Sequence, residues 1–478
     1  MRLRTAGSLR SLPSRGGGAG EGLMWVGAAA AIGAIGGRTA RRAALRGVGS
    51  LAIATAITRT IMRPATGRTG AGDIPFGRSA SAAAFAVGAA LEAPRYGLGA
   101  APVGAAIAAS RLRAGASGLA DVLAGLAIGG FAAALTGHWW PVKPEKPAGA
   151  VPPRLPAPAL PGGAGLFVVV NPGSGVALRT GDSASPAERL RALLPEAEIT
   201  ELGPEDDLGA LLDKAAGRAA DCGGALGVCG GDGTLNAAAG AAVRHGVPLA
   251  AFPGGTFNHF AADLGVESLE EVAHAVGEGD AVSVDLARAS SPDGGEDQVF
   301  LNTFSIGVYP ELVRAREKLE NRVGKWPALA IGLTRVLAGT RPIDVAVNGK
   351  PRRLWLLFAG NGLYHPAGFA PTYRAQLDDG LLDIRAVDGS TPFARTRLLL
   401  AVLTGTLHNS RVLVATQMRR LRLDGLSTAP HFAYDGEVSR EPVDSLVLGK
   451  SARALTVYRP ATEDDELLGL PAAMEPQA

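Results

Sequence analysis

Gly230-Gly231-Asp232-Gly233-Thr234-Leu235-Asn236 is the stretch that decides how this chain is read. It follows Ala225-Leu226-Gly227-Val228-Cys229, an apolar run of strand length. Consecutive glycines at a strand's end let backbone N–H groups approach phosphate oxygens without interference from a Cβ. Asp232 supplies a carboxylate for Mg²⁺, and Thr234 and Asn236 add polar contacts where a helix begins. Glycine-rich strand-to-helix turns also occur in α/β proteins that bind no phosphate, so the neighbouring motifs carry the decision.

Two further turns of this kind lie in the same region. Asn171-Pro172-Gly173-Ser174-Gly175 follows the strand pattern 165–170, and Pro253-Gly254-Gly255-Thr256-Phe257-Asn258 follows the pattern 247–252. Helical patterns over about 186–194, 207–220 and 234–245 lie between the strands. Strands alternating with helices indicate a parallel α/β sheet. Ligands bind such sheets at the carboxyl ends of the strands, where all three glycine turns fall. Asn171, Ser174 and Gly175 are expected to hold phosphate or ribose, Gly230 to Asn236 to wrap the phosphates, and Gly255 with Thr256 to close the third side. Such an arrangement can position a γ-phosphoryl group, and phosphoryl transfer depends mainly on positioning and charge neutralisation. The chain has no G-x-x-x-x-G-K-[ST] loop, which excludes a P-loop enzyme.

Beyond residue 281 strand patterns become dense, at 282–289, 298–306, 343–347, 353–360, 382–387, 421–424 and 443–448, with a helical insertion around 310–340. A last run, Ala452 to Tyr458, is expected to return to the first domain. This half carries two acidic turns, Gln376-Leu377-Asp378-Asp379-Gly380-Leu381-Leu382-Asp383 and Asp435-Gly436-Glu437. In the second, carboxylates on either side of a glycine can converge on one cleft, one holding Mg²⁺ through water and the other taking the proton of an attacking hydroxyl.

With 478 residues the chain should form two or three domains. A net charge of +3 is too small to argue for nucleic acid. Residues 1–120 are Arg-rich and almost free of acids, which suits an anionic membrane, while the tail from Glu463 to Glu475 is acidic. Residues 1–21 read as a basic disordered segment, and five apolar segments follow at about 23–36, 43–62, 79–92, 98–110 and 118–138. Several are shorter than the about 20 residues of a spanning helix, but small residues permit close packing within a membrane bundle. A soluble Ala-rich bundle is the alternative. Residues 22–140 thus read as a helical domain, with Trp139-Trp140 at a membrane interface, and 141–164 as a Pro-rich linker. Cys222 and Cys229 fit no zinc spacing and read as two reduced, buried thiols in a cytosolic portion of the chain. His245, His274 and His408 fall in helical patterns and read as structural, His365 lies in a loop that borders the cleft, and Arg316 to Arg322 reads as a solvated helix face.

The ordered motifs Asn171 to Gly175, Gly230 to Asn236, Pro253 to Ala261 and Asp435 to Glu437 resemble those of the diacylglycerol kinase catalytic-domain superfamily of lipid kinases, over about residues 165–460. The resemblance implies an α/β nucleotide-binding domain (165–280) plus a β-sandwich-like domain (281–450), with 451–460 as a returning strand and 461–478 as a disordered tail. It implies ATP on Gly230, Gly231, Asp232, Gly233, Thr234, Leu235 and Asn236 and on Thr256. It further implies a structural Mg²⁺ on Asp379 with the main-chain oxygens of Gln376 and Leu381, Glu437 as base, and Asp232 with Asp435 organising catalytic Mg²⁺. Ala237 and His259 depart from the usual Glu and Asp of the family.

The front region is similar to the membrane-bound type-2 phosphatidic acid phosphatases, through Arg63-Pro64, Pro75-Phe76-Gly77-Arg78 and Ser110-Arg111 with Asp121. Ala56 stands at the lysine position, Arg78 at that of the acid histidine and Ser117 at that of the nucleophilic histidine, which implies an inactive relic. The combined expectation is an all-α membrane helical bundle followed by a lipid kinase that uses ATP and Mg²⁺, with diacylglycerol as the favoured acceptor. Its expected location is the cell membrane, with the kinase domain on the cytoplasmic side. Its expected partners are lipid and membrane but no nucleic acid, and a homodimer is left open. A bifunctional kinase and phosphatase, or a non-enzymatic membrane scaffold, are the competing readings.

Overall fold

The computed structural model describes residues 17–35, 37–62, 77–113, 118–139, 142, 147–174, 184–255, 258–292, 294, 297–307, 341–365, 373–404, 410, 412–428, 432–439 and 443–462. The chain divides into two compact units, Met1–Glu145 and Lys146–Ala478. The expected helical insertion around 310–340 lies outside the described residues, as do Arg63, Pro64, Pro75, Phe76, Ser117 and His408.

The first unit is helical among its described residues: α1 Gly17–Ile35, α2 Arg38–Ile57, α3 Gly77–Glu92, α4 Pro94–Arg113 and α5 Leu119–Trp139. Residues 17–21 belong to α1 rather than to a disordered segment. Glycine is tolerated there because the first turn's N–H groups have no helical partner in any case. Small residues allow the helices to touch at backbone distance. A Cβ on Gly129 of α5 would fall 2.6 Å from the Cβ of Ala83 on α3, and one on Gly88 would overlap Ser50 of α2. Arg46 is fully buried and donates through Nε to Glu92 Oε2 at 2.8 Å, and Arg42 pairs with the same carboxylate. Ser50 joins this polar seam, bonding the Arg46 carbonyl at 2.9 Å and Thr136 Oγ1 at 3.1 Å. Among the described residues one helix, Leu119–His138, is long and apolar enough to cross a membrane, with mean hydropathy 1.8. Leu98, Leu119, Leu123 and Phe131 point apolar surface outward.

The second unit begins with β1 Leu166–Val170, α6 Pro186–Leu193, β2 Glu198–Glu201, α7 Leu208–Cys222, β3 Ala225–Gly230, α8 Asp232–His245, β4 Leu249–Pro253, α9 His259–Leu264 and α10 Leu269–Glu278. Strands follow: β5 Ala281–Ser290, β6 Gln298–Phe300, β7 Thr303–Gly307, β8 Ile343–Val347, β9 Lys350–Asn361, β10 Tyr364–His365, β11 Tyr373–Arg374 and β12 Leu382–Asp388. After α11 Ala394–Thr404 come β13 Leu413–Met418, β14 Arg420–Asp424, β15 Phe432–Tyr434, β16 Glu437–Ser439 and β17 Ser445–Tyr458.

β2, β1, β3 and β4 form a parallel sheet in that order. Its apolar strands are buried on both faces by helices, as parallel strands require. The β-rich part continues the hydrogen-bonded ladder of the parallel sheet through β17, which pairs parallel with β4 and antiparallel with β5 and β14. β5 and β17 are long enough to serve two cores. One surrounds Leu226, Val228, Leu249, Phe252 and Phe260, and the other surrounds Phe300, Phe304, Leu357, Leu421 and Leu448. The run read as one strand at 298–306 breaks at Leu301–Asn302, and those read at 443–448 and 452–458 are one strand with a register shift between Ser451 and Leu455. Cys229 is buried, with its thiol pushed up to about 12 by that burial. Cys222, expected to be buried too, is exposed at the end of α7.

Removing the shared counter-ion of the helical unit should be costly, because an uncompensated buried guanidinium remains. Glu92→Ala is expected to destabilise that unit by about 3–5 kcal/mol, whereas Leu98→Ala on its exposed surface should change stability little. Thermal unfolding of the full chain followed by circular dichroism checks both.

Candidate active site

The first three glycine turns meet at the carboxyl edge of β1, β3 and β4. β3 ends at Gly230 and α8 starts at Asp232, with Gly231 as N-cap and no side chain capping the helix. By contrast, α6, α7 and α10 are capped by Ser185, Asp207 and Ser268. A helix whose first N–H groups carry no side-chain cap presents donors and a positive dipole end to an anion.

Close approach explains the glycines. A Cβ on Gly255 would fall 2.5 Å from Gly231 Cα, and one on Gly254 2.7 Å from the Gly230 nitrogen. The third turn therefore lies directly against the second. Asn258, itself in the left-handed region at φ 50°, holds that turn by accepting from Gly255 N at 2.7 Å. Asn171 belongs to the first turn: its Oδ1 accepts from Gly173 N at 3.0 Å, and its Nδ2 donates to Thr234 Oγ1 at 3.0 Å. Asn236 faces the other way and donates to the Val299 carbonyl at 2.9 Å, so it fastens α8 to the β-rich part. Leu235 is buried in the first core. Its backbone N–H returns to the Gly231 carbonyl at 2.9 Å, so both residues support the turn. Gly175 and Thr256 lie outside the described residues, as does the Ser174 side chain.

The β-rich part brings its acids to the same place. Tyr434-Asp435-Gly436-Glu437 is a two-residue hairpin turn between β15 and β16, with φ of 47° at Asp435 and 89° at Gly436. Positive φ at both central positions is the geometry that Asp-Gly favours. The turn presses Asp435 against the break between β6 and β7. There its Oδ2 accepts from Leu301 N at 2.8 Å, and its Oδ1 accepts from Asn302 N at 2.8 Å and Thr303 N at 2.7 Å. Asp435, expected from sequence to organise Mg²⁺, thus spends both oxygens on backbone donors. Burial pushes its carboxyl up to about 6; the three N–H groups pull it down, and Asp232 adds to the rise. Glu437 lies one residue past the turn, and a Cβ on Gly233 would overlap its Oε1. Asp232, Asp435 and Glu437, distant in sequence, therefore gather at the start of α8. Asp232 also accepts weakly from Phe260 N at 3.5 Å.

Sequence reasoning missed Arg374. Its buried guanidinium donates to Asp263 Oδ2 at 2.8 Å, the Leu301 carbonyl at 2.7 Å, the Asn361 carbonyl at 2.9 Å and Asn302 Oδ1 at 3.1 Å. It holds the carbonyl side of the strand break whose N–H side Asp435 holds. The signal available was Asp263, which closes the helix opened by the third turn; nothing in the sequence pairs it with Arg374.

The expected structural metal set does not fit an ion. Asp379 Oδ1 accepts from Lys450 Nζ at 2.6 Å, and the Leu381 carbonyl accepts from the same ammonium at 2.9 Å. Gln376 has an exposed side chain, and the residues on either side of it bond Gly149, which donates to the Ala375 carbonyl at 2.9 Å and accepts from Leu377 N at 2.8 Å. The positive charge at this turn belongs to a side chain.

Residues 165–289 match the family model of the diacylglycerol kinase catalytic domain. The matched segment contains all three glycine turns and ends before both acidic turns. This part of the chain is thus similar to a kinase-type phosphotransferase domain. Among solved structures, a diacylglycerol kinase from Bacillus anthracis str. Sterne is similar at 20% identity, with a TM-score of 0.41, covering 62% of this chain and 96% of that one. A second structure from that organism, provisionally assigned as a diacylglycerol kinase, gives 21% identity and a TM-score of 0.44, covering 62% and 97%.

The pH dependence of stability should carry the mark of Asp435. Its folded value lies above the unfolded one, so the folded state holds its proton between about pH 4 and 6 while the unfolded chain releases it. Stability from this residue is therefore full below pH 4 and falls as pH rises through about 6, by about 3 kcal/mol. The slope of stability against pH over this window should be less negative in Asp435→Asn, as measured by denaturant titration.

Proposed function

We propose that the chain is an ATP-dependent lipid kinase, transferring the γ-phosphoryl group to a lipid hydroxyl, with diacylglycerol as the favoured acceptor and phosphatidic acid as product. One observation carries this reading: Glu437 lies against Gly233, at the uncapped start of a glycine-opened helix within a diacylglycerol kinase catalytic segment.

The α8 N–H groups, with the Gly230–Gly231 and Gly254–Gly255 backbones, make the cradle for phosphate oxygens in this reading, and the absence of side chains at these glycines lets the two turns pack against each other. Asn171 and Thr234 border it. A divalent cation entering with the nucleotide would neutralise charge on the transferring group, and half-buried Asp232 fits that requirement. Glu437 is the base of this proposal. As the acceptor oxygen bonds to phosphorus and the bridge to ADP breaks, its carboxylate takes the hydroxyl proton. Asp435 and Arg374 are positioning residues that fix the hairpin bearing Glu437.

The helical unit supports membrane association through Leu119–His138 and its outward Leu123 and Phe131. A cytoplasmic kinase side follows from the ATP requirement. The described remnants of the phosphatase signature have local roles: Asp121 Oδ2 accepts from Gly118 N at 3.1 Å, and Ser110 Oγ donates to the Ile107 carbonyl at 2.8 Å. They lend no support to a bifunctional enzyme.

Transfer of radiolabelled γ-phosphate to a panel of neutral lipids tests the proposal. Glu437→Gln and Asp232→Asn should each lower kcat by about 10²- to 10⁴-fold while the protein stays folded. Gly233→Ala, which displaces Glu437, should lower it too; lipid phosphorylation unchanged by all three would mean that these carboxylates are not catalytic, and no phosphate transfer by the wild type would favour the scaffold reading.

A further inference from the structure

The turn between β11 and β12 and the bulge of β17 share one buried charge cluster. Lys450 lies on β17 with its side chain 2% exposed. Its ammonium has three acceptors: Asp379 Oδ1 at 2.6 Å, the Leu381 carbonyl at 2.9 Å and Asp285 Oδ2 at 3.1 Å. Asp285 is fully buried on β5, where its Oδ1 accepts from Arg453 N at 2.7 Å and its Oδ2 from Gly380 N at 2.7 Å. Asp379 Oδ2 accepts from Leu363 N at 2.7 Å. The ammonium therefore uses all three of its protons on oxygens from two segments, the turn before β12 and strand β5.

We infer that Lys450 is the resident cation of this turn, taking with its ammonium the place of a structural divalent metal. Coordination chemistry favours this assignment. Mg²⁺ requires near-octahedral oxygens at about 2.0–2.1 Å and retains several waters. Here the position between Asp379 and Leu381 holds a nitrogen at hydrogen-bond distances, and the surrounding carboxylate oxygens already accept backbone N–H groups. Charge balance points the same way. Lys450 offsets Asp285 and Asp379, and Arg453 lies 3.9 Å from Asp378. Nothing in this assignment depends on the proposed kinase activity.

Melting of the nucleotide-free full chain, with MgCl₂ compared against NaCl of equal ionic strength after EDTA treatment, tests it. The wild type should shift by less than about 1 °C with Mg²⁺, while Lys450→Met should melt roughly 5 °C lower, because two buried carboxylates lose their counter-ion. Two results would overturn the assignment. One is a saturable Mg²⁺ stabilisation of the wild type that disappears in Asp379→Asn. The other is a Lys450→Met protein that melts with the wild type. A Mg²⁺ response that persists in Asp379→Asn places the ion elsewhere and leaves the lysine assignment standing. Should Lys450→Met fail to fold, the wild-type and Asp379→Asn comparison decides alone.

Discussion

The carboxylate of Asp435, closed over three successive backbone N–H groups at Leu301, Asn302 and Thr303, is the constraint on which the candidate site depends. A left-handed φ at a non-glycine residue costs about 1–2 kcal/mol. Three backbone donors converging on one carboxylate hold the turn in that conformation despite the strain. The result is a rigid corner. Because the hairpin cannot rotate away from the break, Glu437 on its far side is held against Gly233. Arg374 completes the lock from the carbonyl side, and through Asp263 it ties the same break to the helix following the third glycine turn. Two lobes of different architecture are thereby referred to one short stretch of backbone.

The lobes are also spliced covalently and by hydrogen bonding along β5 and β17. A pair of strands this long would ordinarily twist as a unit, yet it must serve a parallel sheet at one end and an antiparallel one at the other. The register shift between Ser451 and Leu455, with Arg453 at φ 52°, absorbs that change. Asp285 lies opposite the irregularity and accepts the otherwise stranded Arg453 N–H. Lys450 then compensates the charge this requires. The buried ions of this region are thus a consequence of the splice: a bulge leaves a donor unpaired, a carboxylate pairs it, and an ammonium neutralises the carboxylate.

This division explains what was legible in the residues. Helices and parallel strands of the first lobe show through periodicity and glycine punctuation: the pattern over 207–220 corresponds to α7 at Leu208–Cys222, and that over 165–170 to β1 at Leu166–Val170. The glycines at 230, 231, 254 and 255 announced close backbone approach, which is a local property. β15, β16 and β2, each of three or four residues, are too short to show a period. The break at Leu301–Asn302 was invisible because its cause lies more than a hundred residues away, in Asp435 and Arg374. Likewise Lys450 reads as an ordinary strand lysine until folding brings three oxygens to it.

Charge at the mouth of α8 follows a different logic from charge at the bulge. In the bulge Asp285 and Asp379 share a buried ammonium, and Asp378 faces the half-exposed Arg453. At α8, by contrast, Asp232 and exposed Glu437 stand near Asp435, whose raised value records both burial and the proximity of Asp232. Like charges so gathered are costly to approach with a polyphosphate. The uncapped helix end offsets part of that cost, since its N–H groups and dipole favour an anion. An arrangement that spends stability in this way is typical of a site built to receive a counter-charge with its ligand, because positioning groups for transfer conflicts with satisfying them at rest. The contrast separates the two acidic turns on physical grounds: in one an ammonium from the fold lies among the carboxylates, and in the other the carboxylates face the uncapped start of a helix.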